Sequence, residues 1–131
     1  NVSKTTLSFI KKALAGVVNE ASGTASKARL LNVIVGGKTG TAQVIGRKSL
    51  GEHYTKTPWH LQDHAWFAAL APVEQPRIVV AVYVEHGGHG GSAAAPIARD
   101  ILASYLEPEG ITKTVNYELP PFSDIPETEN D

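Results

Sequence analysis

Two apolar stretches, Asp63 to Ala71 and Arg77 to Glu85, flank the short connection Pro72-Val73-Glu74-Gln75-Pro76. The second is almost unbroken β-former (Ile78, Val79, Val80, Val82, Tyr83, Val84), and both are bounded by turn residues. Runs of this length and spacing predict an antiparallel hairpin, and their near-continuous apolar character predicts that both faces are covered. Trp66, inside the first run, is expected in the core.

Helical spacing lies on either side of that hairpin. From Ser3 to Glu20, Leu7, Ile10, Leu14 and Val17 recur at intervals of three and four, placing them on one face of a helix that Ala21-Ser22-Gly23-Thr24 ends. After the glycine-rich turn His86 to Gly91, Ser92 is expected to cap a second helix with Pro96 in its first turn. Its apolar face would be Ile97, Ile101, Leu102 and Tyr105, and it would end near Leu106. Leu30 to Ile45 reads as one further extended segment around a Gly-Gly-Lys-Thr-Gly-Thr centre. The fold class expected is therefore α/β, an antiparallel sheet of about three strands flanked by N- and C-terminal helices. Gly46 to Gln62 is polar and longer than an ordinary connection, which suits a functional or mobile loop. Glu107 to Asp131 sets seven acids against the one cation Lys113 and contains Pro108, Pro120, Pro121 and Pro126; a disordered tail beyond a domain at 1–106 is expected.

At 131 residues and 42% hydrophobic, the chain suffices for one folded unit. A formal net charge of −1 gives no sign of a counterion-driven grip on nucleic acid. The absence of cysteine excludes disulfides and thiolate chemistry. No apolar run approaches the roughly 18 residues needed to cross a bilayer. The opening Asn1-Val2-Ser3-Lys4 does not read as a signal peptide, and with no methionine present the termini read as those of a piece of a longer chain.

The densest chemistry lies in Val35-Gly36-Gly37-Lys38-Thr39-Gly40-Thr41-Ala42-Gln43, which puts a cation, two hydroxyls and permissive backbone where a strand centre is otherwise expected. Glycines weaken a strand and are tolerated where a ligand or another backbone approaches closely. The plain alternative is a surface hairpin with a solvated lysine. A phosphate loop is disfavoured, because the opening glycine of G-x-x-x-x-G-K-[ST] would fall on Asn32 and β-branched Val33, Ile34 and Val35 resist a wrapped backbone. His86 and His89, with His64 or with His53 and His60, are candidate metal ligands, but a glycine turn fixes them poorly and no metal is expected.

Taken in order, Thr24-Ala25, Arg29, Gly37-Lys38-Thr39-Gly40-Thr41-Ala42-Gln43, His64-Ala65-Trp66-Phe67 with Ala71-Pro72, and Ala94-Ala95-Pro96-Ile97-Ala98-Arg99 resemble the penicillin-binding transpeptidases from about Ser3 to Leu106. The turn Glu85-His86-Gly87-Gly88-His89-Gly90-Gly91-Ser92 is most similar to the elongation-type class B branch of that family. The resemblance implies a C-terminal part of the penicillin-recognising fold. It further implies a parent enzyme that forms peptidoglycan cross-links through a serine acyl-enzyme, without cofactor, anchored in the cytoplasmic membrane with this part outside. Lys38 and Thr41 would be catalytic, Thr41 through its backbone N–H in the oxyanion hole. Thr39, Gly40 and Thr41 would bind substrate, the two hydroxyls engaging the carboxylate of a stem peptide or of a β-lactam.

The family's nucleophile is the exception. Ser8-Phe9-Ile10-Lys11 matches S-x-x-K, but it lies just before the Lys-Thr-Gly segment rather than far upstream, and no serine is followed two places later by asparagine. No nucleophile is therefore assigned to this chain, and alone it is expected to turn nothing over. Its structural partner would be the missing N-terminal part of the same domain. Without that part, apolar faces at Leu7, Ile10 and Val33 to Val35 are expected to drive self-association. The competing reading is a non-catalytic truncated module that binds peptide strands or a partner.

Overall fold

A computed structural model describes residues 2–45 and 57–106. The tail from 107 and the centre of the long loop lie outside the described residues. The elements are α1 (Lys4–Asn19), a 3-10 turn at Ser26–Ala28, β1 (Gly36–Ala42), a second such turn at Trp59–Leu61, β2 (His64–Ala71), β3 (Ile78–Val84) and α2 (Gly90–Leu106). The strands form one antiparallel sheet in the order β1-β2-β3, so β1 and β3 are its edges.

Ser3 caps α1, its hydroxyl accepting the Thr6 N–H at 3.1 Å, as its residue type favours. Only the C-terminal half of the expected apolar face packs: Val18 is fully buried and Leu14 and Val17 are half-buried, whereas Leu7 and Ile10 remain exposed. The Asn19 side chain then joins helix to strand, its Nδ2 donating to Ala15 O and Val35 O, each at 2.7 Å.

The first extended segment is shorter than its β-branched composition suggests, covering Gly36–Ala42 rather than 30–45. Just ahead of the strand, the Ile34 carbonyl accepts from Val73 N and the Val35 carbonyl from Asn19. Tertiary partners thus take backbone groups that a longer ladder would use, and context overrides strand propensity.

In β2 the buried residues alternate, Ala65, Phe67, Ala69 and Ala71, and β3 answers with Val80 and Val82. This corrects the hairpin expectation: among the described residues one face is covered and the other is open. Trp66 is likewise not core; it is 44% exposed on the open face, against Tyr83. Helix α2 covers the inner face through Ala94, Ala95, Ala98 and Leu102, while Ile97, Ile101 and Tyr105 point outward. The small alanines at positions 94, 98 and 95 allow the helix to lie close to the sheet, which larger side chains on that stripe would prevent. The helix also begins at Gly90, two residues ahead of the expected cap. Ser92 therefore sits in the first turn, donating its hydroxyl to His89 O at 3.0 Å, and Pro96 falls in the second turn.

Candidate active site

Successive side chains of a strand point to opposite faces, which sorts β1 into two sets. Lys38 and Gly40 belong to the open face: a Cβ on Gly40 would lie 3.2 Å from Cβ of outward Trp66. Gly37, Thr39 and Thr41 belong to the inner face. A Cβ on Gly37 would meet the ring of buried Phe67 at 2.5 Å, so glycine is what lets β1 close onto β2 at that point.

The four candidate residues Lys38, Thr39, Gly40 and Thr41 thus share one edge strand, with both hydroxyls on the same side. Lys38 is exposed, and its Nζ folds back to donate to the Thr39 carbonyl at 2.8 Å, holding the charge beside the strand's own backbone. Among the described residues no carboxylate pairs with it; the two ion pairs there are Glu85 with His86 and Asp100 with Arg99. The Thr39 hydroxyl is 3.2 Å from that of Thr24. Among the described residues Lys38 thus offers a cation without a carboxylate partner on one face of the edge strand, and Thr39 and Thr41 offer hydroxyls on the other; both kinds of group suit a ligand carboxylate that reaches the strand's edge, through charge-assisted hydrogen bonds.

Ser8 is exposed on α1, and its i+3 neighbour Lys11 donates instead to Glu74 O at 2.7 Å, on the connection between β2 and β3. That lysine is not arranged as a base for Ser8. The structure brings His64 and His86 together, with ring centroids 4.7 Å apart, but in a packing role. His64 Nδ1 accepts the backbone N–H of His86 at 2.9 Å, the His86 ring meets Gln62 O at 3.0 Å, and Trp59 lies edge-on to it at 4.8 Å. These contacts hold His86 at φ 51°, a left-handed conformation unusual for a residue with a side chain. Among the described residues no group of three potential ligands is assembled, and His53 lies outside them.

The Thr24–Thr39 hydroxyl contact has no local signature in the sequence. Thr24 stood out there only as part of a family pattern, and no local rule joins hydroxyls 15 positions apart.

The arrangement has close counterparts. The penicillin binding protein transpeptidase domain family matches residues 1–103. The peptidoglycan D,D-transpeptidase MrdA of Haemophilus influenzae is 41% identical over 112 residues, covering 84% of this chain. The chain spans about a sixth of that relative's length, 17%. Among solved structures, PBP2 of Pseudomonas aeruginosa in complex with WCK 5153 superposes with a TM-score of 0.67 at 31% identity, covering 92% of this chain and 24% of that one. Penicillin-binding protein A of Mycobacterium tuberculosis, as a ceftriaxone acyl-enzyme complex, gives 0.61 at 31% identity, covering 81% of this chain and 22% of that one. The chain belongs to the family of penicillin-binding protein transpeptidase domains and is similar to its PBP2/MrdA members.

Proposed function

We propose that this segment forms the Lys-Thr-Gly wall of the active site of a peptidoglycan D,D-transpeptidase of the PBP2/MrdA type, working in cell-wall synthesis. The observation that carries the reading is Lys38, without a carboxylate partner among the described residues, on the same edge strand as the hydroxyls of Thr39 and Thr41. In this reading the Thr39 and Thr41 hydroxyls hold the carboxylate of the donor stem peptide, or of a β-lactam. Lys38 supplies positive charge and assists proton transfer. The Thr41 N–H stabilises the oxyanion that develops as a serine adds to the penultimate D-Ala carbonyl. Cleavage of that peptide bond releases D-Ala with the proton it needs, and an amine of a second stem displaces the serine to form the cross-link.

The serine belongs to the remainder of the domain, which is also the partner for the open face of the sheet. The acyl-enzyme named for the mycobacterial relative supports β-lactams as ligands. The site of action is the cell envelope, with the parent held in the cytoplasmic membrane and this part on its outer side. Residues 107–131 would form an acidic extension beyond the domain.

The test uses a chain that carries this segment within a complete transpeptidase domain. Lys38→Ala is expected to slow acylation by a fluorescent penicillin at least about a hundredfold. The thermal midpoint should hardly move, because Lys38 is exposed. Unchanged acylation in the folded variant would return Lys38 to the role of a solvated side chain.

A further inference from the structure

We propose that Thr24 is a positioning residue for the carboxylate-binding hydroxyl of Thr39, an inference that rests on the functional reading above. The Thr24 and Thr39 hydroxyls lie 3.2 Å apart, and among the described residues Thr24 is the one side chain that bonds the Thr39 hydroxyl. A hydroxyl both donates and accepts and rotates freely about its C–O bond. A carboxylate only accepts, so Thr39 can hold it only if Thr24 is the donor of the pair; the bond that Thr39 then accepts restricts rotation of its own O–H, which stays free to donate to the ligand.

The Thr24 backbone is fixed from two sides. Ala25, fully buried, donates its N–H to Val17 O at 3.0 Å, and Gly23 lies so close to α1 that a Cβ would stand 2.4 Å from the same carbonyl. On the other side the first turn of α2 closes down, since a Cβ on Gly91 would meet Thr24 O at 2.1 Å and Thr39 Cγ2 at 3.6 Å. α1, α2 and β1 therefore converge on this pair, and Gly91 is the residue whose lack of a side chain permits it. The side chains themselves are not buried: Thr24 is exposed and Thr39 half-buried. A solvent-accessible neutral hydrogen bond adds little to folding, so a three-element clamp around it makes better sense as orientation of a binding group than as a source of stability.

The experiment measures the second-order rate of acylation by benzylpenicillin, in a chain carrying the complete domain, for Thr24→Val, Thr24→Ser, Thr39→Val and the double Thr24→Val/Thr39→Val variant. Thr24→Val keeps the shape and removes the hydroxyl; it should slow acylation about fivefold, the scale of one neutral hydrogen bond, and Thr24→Ser should restore the rate. Thr39→Val should be slower still, and adding Thr24→Val to it should change nothing further, because Thr24 acts only through that hydroxyl. A Thr24→Val rate equal to the unmodified one, or an undiminished effect in the Thr39→Val background, overturns the proposal. If Thr24→Val does not fold, the Thr24→Ser and Thr24→Ala rates decide in its place, with full activity of Thr24→Ala overturning it. Should Thr39→Val itself acylate normally, the functional reading fails; should Thr39→Val be slow while Thr24→Val is normal, only the role of Thr24 fails.

Discussion

Strands β1 and β2 are paired from Gly36↔Leu70 to Ala42↔His64, yet they hold their places by different means. β2 buries Ala65, Phe67, Ala69 and Ala71 and is anchored by its own side chains. β1 buries only Gly36 and Gly37, which have none; its order comes from the backbone ladder, the Asn19 bridge at its entry and the α2 turn above Thr39. The difference separates stability from chemistry within a single sheet. A strand that owes its position to its neighbours leaves the side chains of Lys38, Thr39 and Thr41 out of the core, as the proposed ligand-binding role requires of groups on a rigid scaffold.

Anchoring and chemistry separate most completely when the rest of the domain is removed. The isolated 131-residue chain should show no covalent adduct with a fluorescent penicillin, because the binding strand is present but the attacking hydroxyl is not. A stoichiometric adduct in the mass spectrum would refute this, and one mapped to Ser8 would identify the mistaken step.

On the stability side, Phe67→Ala in the complete domain should lower unfolding free energy by about 3–5 kcal/mol, since Phe67 is fully buried between α2 and the sheet. An unfolding free energy, measured by denaturant titration, that falls by less than a third of that would remove β2 from the core. Gly37→Ala tests the seam between the two strands. Its methyl would collide with the Phe67 ring and approach Ala68 O to 3.0 Å, so a loss of about 1–3 kcal/mol is expected. Because Gly37 adjoins Lys38, acylation should fall as well, and a stable, fully active variant would mean that β1 can move away from β2 without consequence.

The same contrast explains what could be read before the fold was known. The hairpin, both helices and the Lys38-to-Thr41 cluster were legible, because each depends on residues that are close in sequence: alternating or helical periodicity, and a polar group of four positions in a row. What was misread depends on which element lies opposite. Trp66 and Phe67 are equally apolar by composition, and only the placement of α2 on one face makes the second core and the first surface. α2 itself packs through Ala94, Ala95 and Ala98 rather than through its larger Ile97 and Ile101, a preference set by the closeness of the sheet. Val33 to Val35 have strand propensity, but Val73 and Asn19 take the backbone groups they would have used. The Thr24–Thr39 hydroxyl pair had no local signature at all.

The smallest effect on stability, and the finest test of the comparison, lies on the open face. Val79, Trp66 and Tyr83 are exposed there at 72%, 44% and 45%, and among the described residues no strand pairs with the outer edge of β3 beside them. Of the residues first expected to make this chain sticky, Leu7, Ile10 and Ile34 are exposed, whereas Val35 is fully buried and Val33 half-buried; the outer sheet face joins the exposed ones. An apolar patch next to a free strand edge favours association of copies. Sedimentation of the isolated chain at micromolar concentration should therefore show dimers or larger species, and Val79→Lys should shift them toward monomer. Folding stability should change by less than about 0.5 kcal/mol, because the substituted side chain is largely in water. If the unmodified chain sediments as a clean monomer, the open face is not the adhesive surface described here, and the division between an anchored inner face and an unpartnered outer one must be drawn elsewhere.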